Sequence, residues 1–394
     1  MERVYIIGAK RTPIGKFGGT LSSLTASDLG SFVIKGALDQ SGLEADQVSQ
    51  VLMGNVVQAG QGQNPARQAA LKAGLPIQVP SITINDVCGS GLSSINMGAA
   101  LIQAHQADIV VAGGMESMSK APYIVDQARF GARLGDGRMI DALLSDALTD
   151  AQGGYHMGIT AENVAKKYDI SREEMDEFSY QSHQRAVSAQ DKHRFDDEIV
   201  SLPMIDRKGN SYVVDQDEAP RRDTSLEKLA KLKPVYQEDG AVTAGNASGL
   251  NDGAAAVVLI SESKMHELGI EPLAQWQASA LVGLEPELMG IGSYYAVEKL
   301  FKDHPDFKQS EVDYFELNEA FAAPSLVVGD QLLGLDPAIV NPNGGAIALG
   351  HPVGASGSRI LVTLIYELIH DDKKTGVAAL CVGGGMGVSA LITR

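Results

Sequence analysis

Cys88 and Cys381 are the only cysteines in 394 residues, and each falls where a strand-like run meets a turn of small residues. In "TINDVCGSGLSSI" (83–95), β-branched residues give way to Gly and Ser and then to an amphipathic helix, which puts Cys88 at a strand-to-helix corner. The unpaired backbone donors and the dipole of such a helix favour a thiolate, so Cys88 is expected to have a lowered pKa and to act as a nucleophile. A buried structural thiol is the other reading. A cysteine nucleophile needs a base. "GGAIALGHPVGASGSR" (344–359) offers His351 in a Gly-rich turn before a second helix, and it lacks both a P-loop lysine and a proper dinucleotide spacing. Cys381 in "ALCVGGGMG" ends an apolar strand beside Gly383, Gly384 and Gly385, which open the backbone to close approach. It is a second proton-transfer group or a small core residue. "FELNEAFAAP" (315–324) places Asn318 and Glu319 after a strand, and the amide can orient a water, donate to an oxyanion, or cap a helix. His156 in "GGYHMGITAENVA" and Ser248 in "TAGNASGLNDGAA" read by themselves as polar loop residues. The cysteines stand far apart and no histidines cluster, a pattern unlike a zinc site.

The elements that must hold these groups repeat. A strand at 81–87, a helix at 91–106 and a strand at 107–119 are echoed by the segment 341–370 and the apolar run 377–392, and "VAGGM" (111–115) resembles "VGGGM" (382–386). Strand–helix–strand order in both halves predicts an α/β fold with mixed sheets covered by helices. Between them, residues 119–247 change texture to glycine-rich loops, polar helices and the basic segment "APRRDTSLEKLAKLK" (219–233). The expected division is a first half at 1–118, an insertion at 119–247, completion of the first half at 248–270, and a second half at 271–394. Composition is that of an ordinary globular chain, 44% hydrophobic and 21% charged. A net charge of −17 argues against nucleic acid and anionic membranes, so an anionic ligand would need local positive charge such as that segment, whose alternative reading is a solvated helical face. Two cysteines, no signal-peptide layout and no bilayer-length apolar run make the cytosol the expectation.

Taken in order, "NDVCGSG" (85–91), "GGMESMS" (113–119), "YHMG" (155–158), "GNASGLNDGAA" (245–255), "NEAFA" (318–322), "GGAIALGHPVGASGSR" and "CVGGGMG" (381–387) resemble the signatures of the thiolase family, biosynthetic type. The resemblance implies a duplicated fold of two five-stranded mixed sheets in α-β-α-β-α layers, with an inserted loop domain carrying much of the coenzyme A site. It implies reversible Claisen condensation of two acetyl-CoA to acetoacetyl-CoA and CoA through an acetyl-cysteine, as an acetyl-CoA C-acetyltransferase. A broad-chain degradative 3-ketoacyl-CoA thiolase is the alternative. Carried over, Cys88 is the acyl acceptor, His351 its base, and Cys381 the acid/base for the second substrate. One oxyanion site uses His351 with a water held by Asn318, and the other uses the N–H groups of Cys88 and Gly383; His156 joins the catalytic set. Ser248 would bind pantetheine, with Ala247, Ala320, Phe321, Met157, Leu148 and Met289 lining its slot and Arg221 near the adenine and phosphates. No metal or further cofactor is implied, since coenzyme A thioesters are the substrates. The family also implies a homotetramer, a dimer of dimers, with contacts near 120–142.

Overall fold

The computed structural model describes residues 2–206 and 208–394. Strands β1 (Val4–Arg11), β2 (Gln50–Gly54), β3 (Ser81–Ile84), β4 (Ile109–Ser117) and β5 (Asn251–Ser261) form the first half. Their order is β3-β2-β4-β5-β1: β3, β2 and β4 run parallel, and β5 is antiparallel to both β4 and β1. Helix α1 (Ala26–Ser41) starts with a Thr25–Asp28 capping box and ends at left-handed Gly42. It packs with α2 (Pro65–Lys72) on one face of this sheet, while α3 (Ser90–Gln103) covers the other.

The intervening segment includes α4 (Met157–Lys167) and α5 (Arg172–Asp191). The segment is fastened to β1 through Arg11, whose fully buried guanidinium meets Glu198 at 2.5 Å and Asp217 at 2.7 Å. Burying that arginine is tolerable because both carboxylates answer it.

The second half repeats the first. Strands β6 (Ala274–Gly283), β7 (Tyr314–Leu317), β8 (Thr375–Val382) and β9 (Met386–Thr393) lie in the order β7-β8-β9-β6, with β7 and β8 parallel and the rest antiparallel. The fifth position, filled by β3 in the first half, is reduced to a parallel bridge between Phe315 and Val340. Helix α6 (Gly292–Asp303) takes the outer place and α7 (Ser356–His370) the inner one. Pairing of Val4 with Trp276 joins the two sets of strands into one ladder. The run 377–392 is therefore two strands rather than one. Gly384 and Gly385, at φ +83° and +81°, turn the chain back in a conformation that side chains disfavour. Where the second half closes β8 to β9 with residues 383–385, the first half carries residues 118–250 between β4 and β5.

The central layer is α3 beside α7. Leu92, Ile95 and Ile102 pack with Ile360, Leu364 and Leu368 in one core that also takes side chains from strands of both halves. The helices approach backbone to backbone at their first turns: a Cβ on Gly91 would lie 2.8 Å from Ser358 N, and one on Gly357 would lie 2.5 Å from Leu92 N. This reciprocal contact brings together the turns that precede the two helices. Among the described residues no helix is long and apolar enough to cross a membrane.

Candidate active site

Strand β3 stops at Ile84 because the chain must turn sharply before α3. Val87 takes φ +42°, a costly conformation for a β-branched residue. The turn is held by Ser90 Oγ, which accepts from Asp86 N–H at 2.8 Å and donates to Val87 C=O at 2.6 Å. Asn85 Oδ1 accepts from Val87 N–H at 3.1 Å. The side chain of Val87 rests against Gly383, where an added Cβ would stand 3.1 Å from it. Cys88 is thereby set between its own N–H and that of Gly383, both of which favour its thiolate.

Burial outweighs those two donors. Desolvation, with Asp86 and Glu116 nearby, pushes the Cys88 thiol up to about 11, which corrects the lowered pKa expected from the helix terminus. Cys88 precedes α3 and lies in an apolar cluster with Val56, Val57, Met118 and Val353, so the dipole acts on a sulfur largely stripped of solvent. Cys381, at the end of β8, is pushed up to about 12 by burial and by the neighbouring Cys88. Both thiols are free.

His351 stands in the turn before α7. The facing of Gly91 and Gly357 makes Gly354 the counterpart of Cys88, so His351 occupies the place of Asn85 rather than the matching corner. Its backbone N–H donates to Asn251 Oδ1 at 2.9 Å. Its Nδ1 lies 2.6 Å from Ser356 Oγ, and that hydroxyl donates to Pro352 C=O at 3.0 Å. The tautomer that suits a serine donating to Pro352 C=O carries its hydrogen on Nδ1 and leaves Nε2 its lone pair. Nε2 is buried and has no partner among the described residues, as is Asn318 Oδ1. Desolvation, with Arg359 contributing, lowers His351 to about 4, so the ring is neutral at ordinary pH. Asn318 Nδ2 lies 3.5 Å from Nδ1, and with hydrogen on both nitrogens this is a contact and not a hydrogen bond.

The remaining expected residues gather around this centre. Met157, Met289, Ala320, Phe321 and Ala247 pack in one apolar cluster with Cys381, and Leu148 joins the Cys88 cluster. Ser248 donates its N–H to Ala320 C=O at 3.0 Å, tying the two loops together. His156 is the N-cap of α4: its Nδ1 accepts from Gly158 N–H at 3.0 Å while its ring stacks on Tyr236 at 4.5 Å. Those contacts seat it against Tyr236 at the edge of the Cys381 cluster, and desolvation lowers its pKa.

The basic segment divides. Arg222 pairs with Asp191, Lys228 with Asp223 and Lys231 with Glu227, whereas Arg221 and Lys233 form no ion pair among the described residues. Arg221 reaches a cleft shared with Lys16, His183, Ala247 and Gly249, and its backbone N–H donates to His183 Nδ1 at 3.2 Å. The positive charge open to an anion is thus narrower than the sequence segment suggests. Ser356 and Val87 were not singled out by sequence, although the serine's fixed offset from His351 in a turn of small residues was a usable signal.

Known proteins match this chain along its length. Residues 4–263 match the family description "Thiolase, N-terminal domain", and residues 270–394 match "Thiolase, C-terminal domain". The chain is 51% identical over 394 residues to an acetyl-CoA acetyltransferase of Pseudomonas aeruginosa, covering 100% of both chains. It is 52% identical over 391 residues to one of Chromobacterium violaceum, covering 99% of each. A crystal structure of the Bacillus anthracis acetyl-CoA acetyltransferase superposes with a TM-score of 0.97 at 44% identity, covering 100% of this chain and 99% of that one. The chain belongs to the thiolase family.

Proposed function

We propose that the chain is an acetyl-CoA C-acetyltransferase, interconverting two acetyl-CoA with acetoacetyl-CoA and CoA. The observation that carries this reading is the pair of neighbouring buried thiols, one from each half, with Cys88 packed against Val353 of the turn that bears the buried neutral imidazole of His351. In the thiolysis direction, Cys88 Sγ attacks the 3-keto carbon of acetoacetyl-CoA as its proton passes to His351 Nε2. The C2–C3 bond breaks, and Cys381 protonates C2 to release acetyl-CoA. The thiol of CoA then gives its proton to the Cys381 thiolate and attacks acetyl-Cys88; Cys88 leaves and recovers the proton held by His351. Synthesis is the reverse.

The pKa order suits this sequence. With Cys88 near 11 and His351 near 4, the resting pair is thiol and neutral imidazole, so proton transfer accompanies attack instead of preceding it. A Cys381 thiolate is basic enough to work on a weakly acidic α-carbon, and its protonated resting form suits the first step of thiolysis. The N–H groups of Cys88 and Gly383 are the donors for one developing oxyanion, and His351 with Asn318 serves the other. The scheme uses only the chain's own side chains and thioester substrates.

The apolar cluster of Met157, Met289, Ala320 and Phe321 around Cys381 supports a short acyl chain. Arg221, beside the cleft that runs past Ala247, is the phosphate contact in this reading, and the segment 119–247 carries much of the coenzyme A site. The same segment exposes Phe130 (83%) and Leu134 (99%), which supports assembly as a tetramer through residues near 120–142. The test is CoA-dependent cleavage of acetoacetyl-CoA beside a longer 3-ketoacyl-CoA, with wild type and Cys88→Ala. Rapid cleavage of the short substrate alone, abolished by the substitution, is expected; equal or faster cleavage of the long one would move the chain to the broad-chain class.

A further inference from the structure

The loop that bears Asn318 and the segment that bears His351 meet at a single carboxylate that the reaction scheme does not use. Glu319 follows Asn318 directly and is 2% exposed. Its Oε2 accepts from Ser182 Oγ at 2.6 Å and from Ile347 N–H at 3.2 Å, and its Oε1 accepts from Asn341 Nδ2 at 3.0 Å. Ser182 lies on α5, Asn341 is bonded to the end of β7, and Ile347 is on the short helix that leads to His351.

Each of these three groups is committed to donating. Ser182 Oγ already accepts from Gly345 N–H at 3.1 Å, so its proton goes to Glu319. Asn341 Oδ1 is occupied by Leu317 N–H at 2.9 Å, while its Nδ2 also donates to Leu317 C=O at 2.8 Å, which fixes the amide orientation. Ile347 presents a backbone N–H. The surrounding backbone is shaped to the carboxylate. A Cβ on Gly345 would come within 2.1 Å of Glu319 Cδ, and Gly344 takes φ +82° against the backbone of α5. Asn341 itself stands at φ +45° to make its contacts. A glutamine of the same shape would turn an NH2 group toward one of these donors and leave a buried clash of like polarity.

We propose that Glu319 is the positioning residue that holds Asn318 and His351 in register across the active site, through a buried carboxyl group that accepts from Ser182, Asn341 and Ile347 at once. The proposal rests on the acetyl-transfer reading given above. It distinguishes Glu319 from a merely buried polar residue because the loss on substitution falls on turnover instead of on folding or substrate binding.

The test uses the full-length enzyme with acetoacetyl-CoA and CoA, comparing wild type, Glu319→Gln and Ser182→Ala by steady-state kinetics and thermal unfolding. For Glu319→Gln we expect kcat to fall about 10²-fold, the order of a 1 Å misplacement, with KM within about twofold and the unfolding transition retained. Ser182→Ala removes one donor from the far side of the carboxylate and gives a smaller loss of the same kind. If Glu319→Gln does not fold, Ser182→Ala decides alone. Wild-type kcat in the variants, or a fall in rate matched by a rise in KM or by the unfolded fraction, overturns the positioning role. Absence of turnover in wild type would instead refute the acetyl-transfer reading, so the two failures are distinct.

Discussion

His351 Nδ1 and Ser356 Oγ lie 2.6 Å apart, and a hydroxyl that donates a hydrogen bond to Pro352 C=O accepts from Nδ1–H, which leaves Nε2 free to act as a base. In Ser356→Ala both tautomers become accessible and the ring can rotate. We expect kcat for acetoacetyl-CoA thiolysis to fall about 10²-fold, the lower end of general acid–base contributions, with KM little changed. Kinetics of the folded variant check this; an unchanged kcat would remove the serine from the account.

The pH behaviour follows from the two shifts. His351 has a folded pKa of about 4, below the ordinary histidine value, so the unfolded chain binds its proton more readily between pH 6.5 and 4. The stability due to neutral His351 is present above pH 6.5 and is lost as pH falls through that window. Buried carboxylates work in the opposite sense: Glu116, raised to about 7 by desolvation, contributes stability at low pH that is lost as pH rises through 7. Only a difference measurement isolates the histidine. The stability of wild type relative to His351→Asn should decline by roughly 3 kcal/mol from pH 7 to pH 4, read from urea unfolding at each pH. A flat difference would show that the ring is not buried neutral.

For the resting thiol, a folded pKa of about 11 means that alkylation of Cys88 by iodoacetamide should rise continuously from pH 7 to pH 10. A plateau near pH 7 would indicate a preformed thiolate–imidazolium pair and a stepwise mechanism.

Val87 at φ +42° stores strain beside the nucleophile. Val87→Gly should change global stability by less than about 1 kcal/mol, because relief of roughly 1–2 kcal/mol of left-handed strain offsets lost packing and the added freedom of the unfolded chain. Turnover should nonetheless fall, since the contact that seats Gly383 beside Cys88 is gone. Thermal unfolding and kcat, measured together, decide the point.

Arg221 and Arg222 are adjacent and differ in what they face. Arg222→Ala should be nearly silent, because its partner Asp191 is a surface carboxylate and both side chains are 57% exposed. Arg221→Ala should raise the KM for CoA by about tenfold, the order of one charge-assisted hydrogen bond, with kcat unchanged. Equal effects of the two would return the whole basic segment to the role of a solvated face.

What sequence made legible was whatever depended on residue type and local spacing. Cys88, His351 and Cys381 stand out because thiols are rare in this chain and each of the three falls in or next to a turn of small residues. The duplication was visible because a strand, a Gly/Ser turn and an amphipathic helix recur together, and the i, i+4 pair Glu227–Lys231 could have been read directly. Quantities set by the third dimension were not legible. The direction of the Cys88 shift depends on desolvation by Val56, Val57 and Val353, none of them near it in sequence except through the fold. Val87 belongs by type to a strand, yet it takes φ +42° in the turn that leads into α3. The fifth strand of the second half shrinks to one bridge at Val340, which alternation alone does not reveal.

The central claim is that acyl transfer runs through the Cys88 sulfur with Cys381 as the second proton-transfer group. It is tested most directly by brief incubation of wild type and Cys381→Ser with acetyl-CoA, acid quenching, and mass spectrometry of the thiol-bearing peptides. The account predicts one acetyl group on the peptide containing Cys88, loaded quickly in wild type and slowly in the variant, because the departing CoA takes its proton from Cys381, with discharge by added CoA slowed in the variant in the same way. Acetyl found on Cys381, or no acetyl enzyme at all in a preparation that turns over acetoacetyl-CoA, would contradict it.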